Sequence, residues 1–346
     1  MIGDVREQLA LLDADSVDCV VTSPPYWGLR DYGVEGQIGL EPTLTEHLAV
    51  MVQVFSLVKR VLKPTGTCWV NYGDCYATTP NGRSAADTKS AGNDDRTFRD
   101  KPFSTIQGVL KAKDLCMVPN RFAIALQEAG WWVRSEIIWA KPNPMPESIH
   151  DRPATSHEKI FMLTKSSRYF YDKDSVRQNM QASSIVRLSQ DVENQTGSTR
   201  ANGGRKTNGN MKAVGKIRAS DVASPRHAGG INHTGIEGTP RGEGRNLRNY
   251  EPAPLEVWPI ATKPFSGAHF ATFPPELAER CILAGCPVGG TVLDPFGGAG
   301  TTALVAERHG RDSVLIELNP EYADITRRRL VVDAGLFACI AVKEAA

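Results

Sequence analysis

The sequence predicts an α/β protein built on a parallel sheet, and three observations predict it. A strand–helix–strand run stands near the amino end, and a second one near the carboxyl end. The second run carries a glycine turn between its first strand and its helix, and an acid at the tip of its second strand. With 41% hydrophobic residues over 346 positions, the chain can bury the core of one large domain or two smaller ones.

Taken in order, Val5, Leu9, Leu11 and Leu12 are spaced for a short amphipathic helix, and Val17 to Val21 reads as a strand. Leu44, Leu48, Met51, Val52, Phe55, Val58 and Leu62 recur at helical spacing, and Lys63-Pro64-Thr65-Gly66 ends that helix. "TCWVNYGD" then reads as a buried strand closing on Asn71, Gly73 and Asp74. Thr78 to Lys113 is polar and rich in Gly, Ser, Asp and Arg, which predicts a loop or lid. "VPNRFAIALQEAG" is helix-like, and "WWVRSEIIWAK" and "KIFMLTKSSRYFYD" are β-like around the rigid turn region "PNPMPES". From Gln178 to Asn249 apolar periodicity vanishes, and 12 Lys/Arg between Arg177 and Arg248 face five Asp/Glu. That stretch reads either as a surface insert without a core or as a basic element that meets phosphates. Regular structure returns after Tyr250 with the helix "PPELAERCILAG", then "GGTVLDPFGGAGTTALVAERHG" and "RDSVLIELNPEYADITRRRL", each a strand, a turn and a helix.

Charge is balanced, 40 Lys/Arg against 39 Asp/Glu, so any nucleic-acid surface must be local. Seven cysteines without a C-x-x-C pair read as buried thiols of a reducing compartment, and no zinc-like cluster predicts a metal. The early acids of the first 18 residues are unlike a secretory signal, and no apolar run is long enough for a bilayer. The expectation is a soluble cytoplasmic chain with no membrane partner.

Two short motifs carry chemistry. Asp294-Pro295-Phe296-Gly297-Gly298-Ala299-Gly300 lets backbone approach a ligand closely, and Glu317 stands where an acid grips ribose hydroxyls. There is no G-x-x-x-x-G-K-[ST] and no G-x-G-x-x-G, and an acid in the turn would repel a pyrophosphate. The turn suits a ligand with a cationic amino group, such as the methionine part of S-adenosylmethionine. In "CVVTSPPYWGLRDYG", Pro24 and Pro25 have no N–H and a fixed φ, so the carbonyl between them is rigidly aimed. Ser23 adds an acceptor and Tyr26 an aromatic face. Together they describe a pocket for a planar exocyclic amine, whose developing positive charge the acceptors would stabilise. A base in a duplex reaches such a pocket only when flipped out, and Tyr26 would replace about 1–3 kcal/mol of lost stacking.

In this order the motifs resemble the β group of DNA amino-methyltransferases, which modify cytosine N4 or adenine N6. The resemblance covers nearly the whole chain apart from 78–113 and 178–249. It implies a doubly wound, Rossmann-like, S-adenosylmethionine-dependent methyltransferase sheet with one antiparallel strand, circularly permuted and carrying an inserted target-recognition region. Residues 1–177 would be the catalytic half, 178–249 the recognition region and 250–346 the cofactor half. The resemblance implies a catalytic motif Ser23, Pro24, Pro25 and Tyr26. The cofactor loop would be Asp294, Phe296, Gly298, Gly300 and Thr301, with Glu317 on the ribose. "HFATFPPELAERCI" would line the methionine side through Thr272, Phe273 and Pro274, and Asp4 would touch the adenine. Asn71 and Asp74 would stand near the pocket mouth, and "IIWAKPNPMP" and "HEKIFMLTK" match segments that follow. Arg205, Lys206, Lys212, Arg218, Arg241 and Arg245 would meet double-stranded DNA.

Ser rather than Asp at position 23 is similar to the cytosine-N4 branch, with adenine N6 as the alternative. Cytosine C5 chemistry needs a Pro-Cys pair, and the chain has Cys286-Pro287 instead. An RNA or protein-amide methyltransferase and an inactive nucleic-acid-binding relative stay open. A homodimer and a cognate restriction endonuclease are the further partners the resemblance allows.

Overall fold

Val17–Thr22 forms β1, and its side chains alternate between two apolar layers. Val20 packs with one core cluster, while Cys19 and Val21 pack with another on the opposite face. A strand covered on both faces reads as a continuous apolar run, which is why "VVT" shows no polar alternation. The computed structural model describes residues 1–79, 103–176, 255–263, 273–335 and 339–343. All of these except Leu255 lie in a unit made of Met1–Val176 and Glu256–Ala346.

Helix α1 (Val5–Ala10) precedes β1, and α2 (Leu44–Val61) crosses from β1 to the parallel strand β2 (Leu62–Tyr72). Thr43 and Glu46 close a capping box at the start of α2, and Met51, Val54, Phe55 and Val58 bury its inner face. Helix α3 (Val118–Glu128) leads to β3 (Trp132–Ala140), then β4 (His157–Thr164) and the short β5 (Val257–Pro259). The last elements are α4 (Pro275–Gly285), β6 (Thr291–Asp294), α5 (Thr301–Arg308), β7 (Asp312–Leu315) and α6 (Pro320–Ala334). The sheet runs β5-β3-β4-β2-β1-β6-β7, and β4 alone is antiparallel to its neighbours. Helices α1, α2 and α3 cover one face, and α4 and α5 the other, which makes the sheet doubly wound.

From β1 the chain moves to β2 on one side, whereas β6 and β7, last in sequence, lie on the other. The crevice outside the carboxyl ends of β1 and β6 is the place where such sheets hold ligands.

Some expected boundaries move. Helix α1 stops at Ala10, leaving Leu11 70% exposed. Residues 63–66 do not separate helix from strand; they bulge within β2, whose pairing jumps from Val17–Leu62 to Cys19–Thr67. The second β-like run ends at Thr164, because beyond it Phe170 and Asp172 donate to Thr65 and Ala284 backbone rather than to a neighbouring strand. Strand β5 has no counterpart in the expected elements, being three residues long. Among the described residues, no helix is long and apolar enough to cross a membrane.

Candidate active site

Two turns leave the adjacent strands β1 and β6 at their carboxyl ends, and both line one cavity of about 780 Å³. One is Ser23-Pro24-Pro25-Tyr26 and the other Asp294 to Thr301. They are joined at the root: the Thr22 hydroxyl, last on β1, donates to Asp294 Oδ1 at 2.6 Å.

In the glycine turn Asp294 is 2% exposed. Besides Thr22, its carboxylate accepts the Thr302 hydroxyl at 2.7 Å and the Phe296 N–H at 3.1 Å. Burial outweighs these donors and pushes its pKa up to about 6. The chain then turns through Gly298 and Gly300, both with positive φ, and Gly300 is the left-handed N-cap of α5. Glu317, just past β7, accepts the Gly298 N–H at 2.8 Å and the Asn319 N–H at 2.9 Å, and burial raises its pKa. Ile2 bridges to Glu317, which brings Gly3 and Asp4 to the cavity wall. Tyr32 and Tyr322 stand edge to face there, centroids 6.4 Å apart.

The proline turn is held differently. Of its two aromatics, Trp27 is buried, donates its indole N–H to the Glu41 carbonyl at 3.0 Å and anchors the turn in the core. Tyr26 faces the cavity, with its ring 5.3 Å from that of Tyr72. A Cβ on Gly73 would come within 2.5 Å of that ring, so only glycine admits it there. Tyr26 Oη donates to Glu158 Oε2 on β4 at 2.8 Å and receives the Ser23 hydroxyl at 3.3 Å. Asn71 Nδ2 on β2 donates to the same Glu158 oxygen at 3.0 Å, and Lys141 pairs with the other. Burial, with Glu158 beside it, holds the Tyr26 phenol protonated well above its ordinary range.

Ser23, Pro24, Pro25, Tyr26, Asp4, Phe273, Asp294, Phe296, Gly298, Thr301 and Glu317 all line the cavity. Asp4 also caps α1 and is gripped by Arg6 at 2.7 Å. Pro274 is the N-cap of α4, Gly300 the N-cap of α5, and neither lines the cavity. Asn71 lines it, but Asp74 does not; its carboxylate accepts the Val118 N–H at the start of α3, which corrects its expected place. Thr272 lies outside the described residues, as do Arg205, Lys206, Lys212, Arg218, Arg241 and Arg245. Glu158, Lys141, Tyr32 and Tyr322 were not singled out from sequence. The available signal was two opposite charges, Glu158 at the start of β4 and Lys141 just past the end of β3, which the antiparallel pairing of these strands brings to one end of the sheet.

A family model described as DNA methylase matches residues 17–328. Type II methyltransferase M.Cfr9I of Citrobacter freundii is 43% identical over 328 residues, covering 95% of this chain and 86% of that protein. Type II methyltransferase M.SmaI of Serratia marcescens is 40% identical, with 96% and 90% covered. Among solved structures, the PvuII DNA methyltransferase (cytosine-N4-specific) superposes with a TM-score of 0.55 at 19% identity, covering 94% of this chain and 83% of that one. At that identity the likeness concerns the fold.

Proposed function

We propose that this chain, which belongs to the DNA methylase family, methylates the exocyclic N4 of a cytosine flipped out of duplex DNA. Its methyl donor is S-adenosylmethionine, and its substrate is DNA.

The cavity suits that donor. Its wall carries the carboxylates of Asp4 and Glu317 and the rings of Phe296, Tyr32 and Tyr322 around the glycine turn. A cationic amino acid joined to a nucleoside needs acids and aromatic faces, and needs no phosphate cradle. We assign the ribose side to Glu317, whose carboxylate two backbone N–H groups already aim. Asp294 would bias the turn by its charge rather than by direct contact, being 2% exposed behind Thr22, Thr302 and Phe296. When bound, S-adenosylmethionine supplies an electrophilic methyl group.

The observation that carries the reading is that Ser23 and Tyr26 share one cavity with the glycine turn, at the ends of neighbouring parallel strands. Ser23 Oγ and the Pro24 carbonyl would accept both N–H groups of the target amine, and Tyr26 would stack on the ring. An exocyclic amine is a weak nucleophile because its lone pair is delocalised. Two fixed acceptors favour the pyramidal, charge-bearing nitrogen of the transition state. Cytosine over adenine rests on Ser23, whose neutral hydroxyl stands where the N6 enzymes commonly hold an aspartate. DNA reading would fall to the basic region 178–249.

The test is incubation with S-adenosylmethionine and mixed-sequence duplexes, digestion to nucleosides and mass spectrometry. N4-methylcytosine is expected. N6-methyladenine would overturn the base while keeping the site, and no methylated nucleoside would overturn both.

A further inference from the structure

Glu158 ends a chain of hydroxyls that begins at Ser23. Its carboxylate lies inside the pocket, 18% exposed, and accepts from Tyr26 Oη, Asn71 Nδ2 and Lys141 Nζ. A carboxylate in that setting donates nothing. Tyr26 has one proton and two candidate acceptors, Glu158 Oε2 at 2.8 Å and Asn71 Oδ1 at 3.4 Å. The charged and nearer one takes it. Tyr26 Oη is then left as an acceptor, and it faces the Ser23 hydroxyl.

We propose that Glu158 is a positioning residue: it fixes the direction of the Glu158–Tyr26–Ser23 chain, so that Ser23 meets the target amine as an acceptor only. This rests on the reading of the pocket given above and adds the residue that sets its polarity. A serine hydroxyl can face an amine in two ways. Turned outward, its proton would bind the nitrogen lone pair and block attack. Turned toward Tyr26, it leaves oxygen lone pairs for an N–H. The 3.3 Å separation of Ser23 and Tyr26 is long for an O–H···O bond, and catalytic hydrogen bonds of this kind tighten in the loaded complex.

Glu158→Gln tests this with little change of shape. Lys141 has only donors, so it keeps the amide oxygen, and the amide NH2 falls where Oε2 now meets Tyr26. Tyr26 Oη becomes the receiver there. Asn71, whose Nδ2 donates to Oε2 in the wild type, turns its amide so that Oδ1 accepts from the new NH2. With both acceptors gone, the Tyr26 proton turns to Ser23 Oγ and the Ser23 proton is released toward the base. A pocket with a donor at Ser23 should favour a base with a carbonyl in place of the amine.

The experiment maps the methylated position in the wild-type protein by mass spectrometry, then compares two duplexes that differ only there, cytosine against uracil. Binding of each is measured with S-adenosylhomocysteine present. The uracil-to-cytosine affinity ratio is expected to rise about five- to tenfold in Glu158→Gln, the worth of one neutral hydrogen bond. Cytosine methylation should fall at least about tenfold by the same measure, while S-adenosylhomocysteine affinity stays unchanged. Tyr26→Phe removes one oxygen and should raise the ratio likewise, which keeps the test open if Glu158→Gln does not fold. Adding Glu158→Gln to Tyr26→Phe should then change nothing more, because the chain is already cut. An unchanged ratio in both single variants overturns the proposal, and so does a further rise in the double variant. If the mapped base is adenine, the base assignment fails separately, and hypoxanthine replaces uracil in the same comparison.

Discussion

The two turns at the cavity are neighbours on paired strands, yet they are held in opposite ways. The glycine turn is held mostly by its own stretch: Asp294, Phe296, Gly298, Thr302 and Glu317 bind one another within 24 residues, and Thr22, Gly3, Thr326 and Arg329 brace it from outside. The proline turn is assembled from afar, since Tyr26 depends on Asn71, Glu158 and Lys141 from three other strands or strand ends. A turn that must grip one invariant cofactor can be stiff by itself. A turn that must present a hydrogen-bond direction to an incoming base needs a charged reference point outside itself.

The strongest test of this division is to damage the proline turn alone. Ser23→Ala and Tyr26→Ala should each lower single-turnover methyl transfer by about 10²–10³, the usual loss when one preorganised hydrogen-bonding group is removed. Calorimetry should find cofactor affinity within about twofold of wild type, since neither Ser23 nor Tyr26 shares a hydrogen-bond partner with the glycine turn. A parallel loss of cofactor affinity would break the division, because the turns would then act as one body.

Damage to the glycine turn should spread further. Asp294→Ala leaves two hydroxyls and an N–H without their buried partner, while relieving a buried charge, so about 2–4 kcal/mol of stability is expected to go. Urea unfolding reads that loss, and cofactor titration should weaken with it. Full stability in the variant would mean that Asp294 does not hold the turn.

This contrast also explains what the sequence disclosed. The strand, turn and helix around Asp294 are contiguous, and so is the proline turn, so both motifs and a parallel α/β sheet were legible from local pattern, while the doubly wound order came from the family resemblance. Glu158 was not. It reaches the site because β4 runs antiparallel beside β2, pairing Lys159 with Tyr72 and Ile160 with Asn71, and nothing local specifies that register. Asp74 misled for the same reason: three residues beyond Asn71 the chain has left β2, and the carboxylate turns to α3.

Asp294 offers a pH signature in the acid range. Its pKa is about 6 in the fold against an ordinary 3.8, so between those values the folded chain binds the proton and the unfolded chain does not. Its contribution to stability is therefore greatest in acid and is lost as pH rises toward 6, by about 2–3 kcal/mol in all. Asp4, whose pKa is lowered by Arg6, pulls the other way at lower pH, so the comparison must be with a variant. The stability of wild type minus that of Asp294→Asn should fall between pH 4 and 7. A flat difference would mean that the carboxylate is solvated in the folded protein.

The smallest effect separates the two turns by their glycines. Gly300 has φ +75°, and a Cβ there would stand 2.5 Å from Thr326 Cγ2. Thr326 cannot easily yield, because its hydroxyl donates to the Gly298 carbonyl at 2.8 Å and so braces the same turn. Gly36, on the cavity wall in the segment after the proline turn, has φ +79° with nothing within 4 Å of an added Cβ. Both alanine variants carry left-handed strain of about 1 kcal/mol, and only Gly300→Ala adds the collision. We expect Gly36→Ala to cost about 1 kcal/mol and Gly300→Ala about 2 kcal/mol or more, measured by urea unfolding. Cofactor affinity should drop only in Gly300→Ala, since there the displaced atoms are the turn itself. Equal costs would mean that the glycine turn can give way at Thr326, and its stiffness would then have to come from Asp294, Glu317 and Arg329.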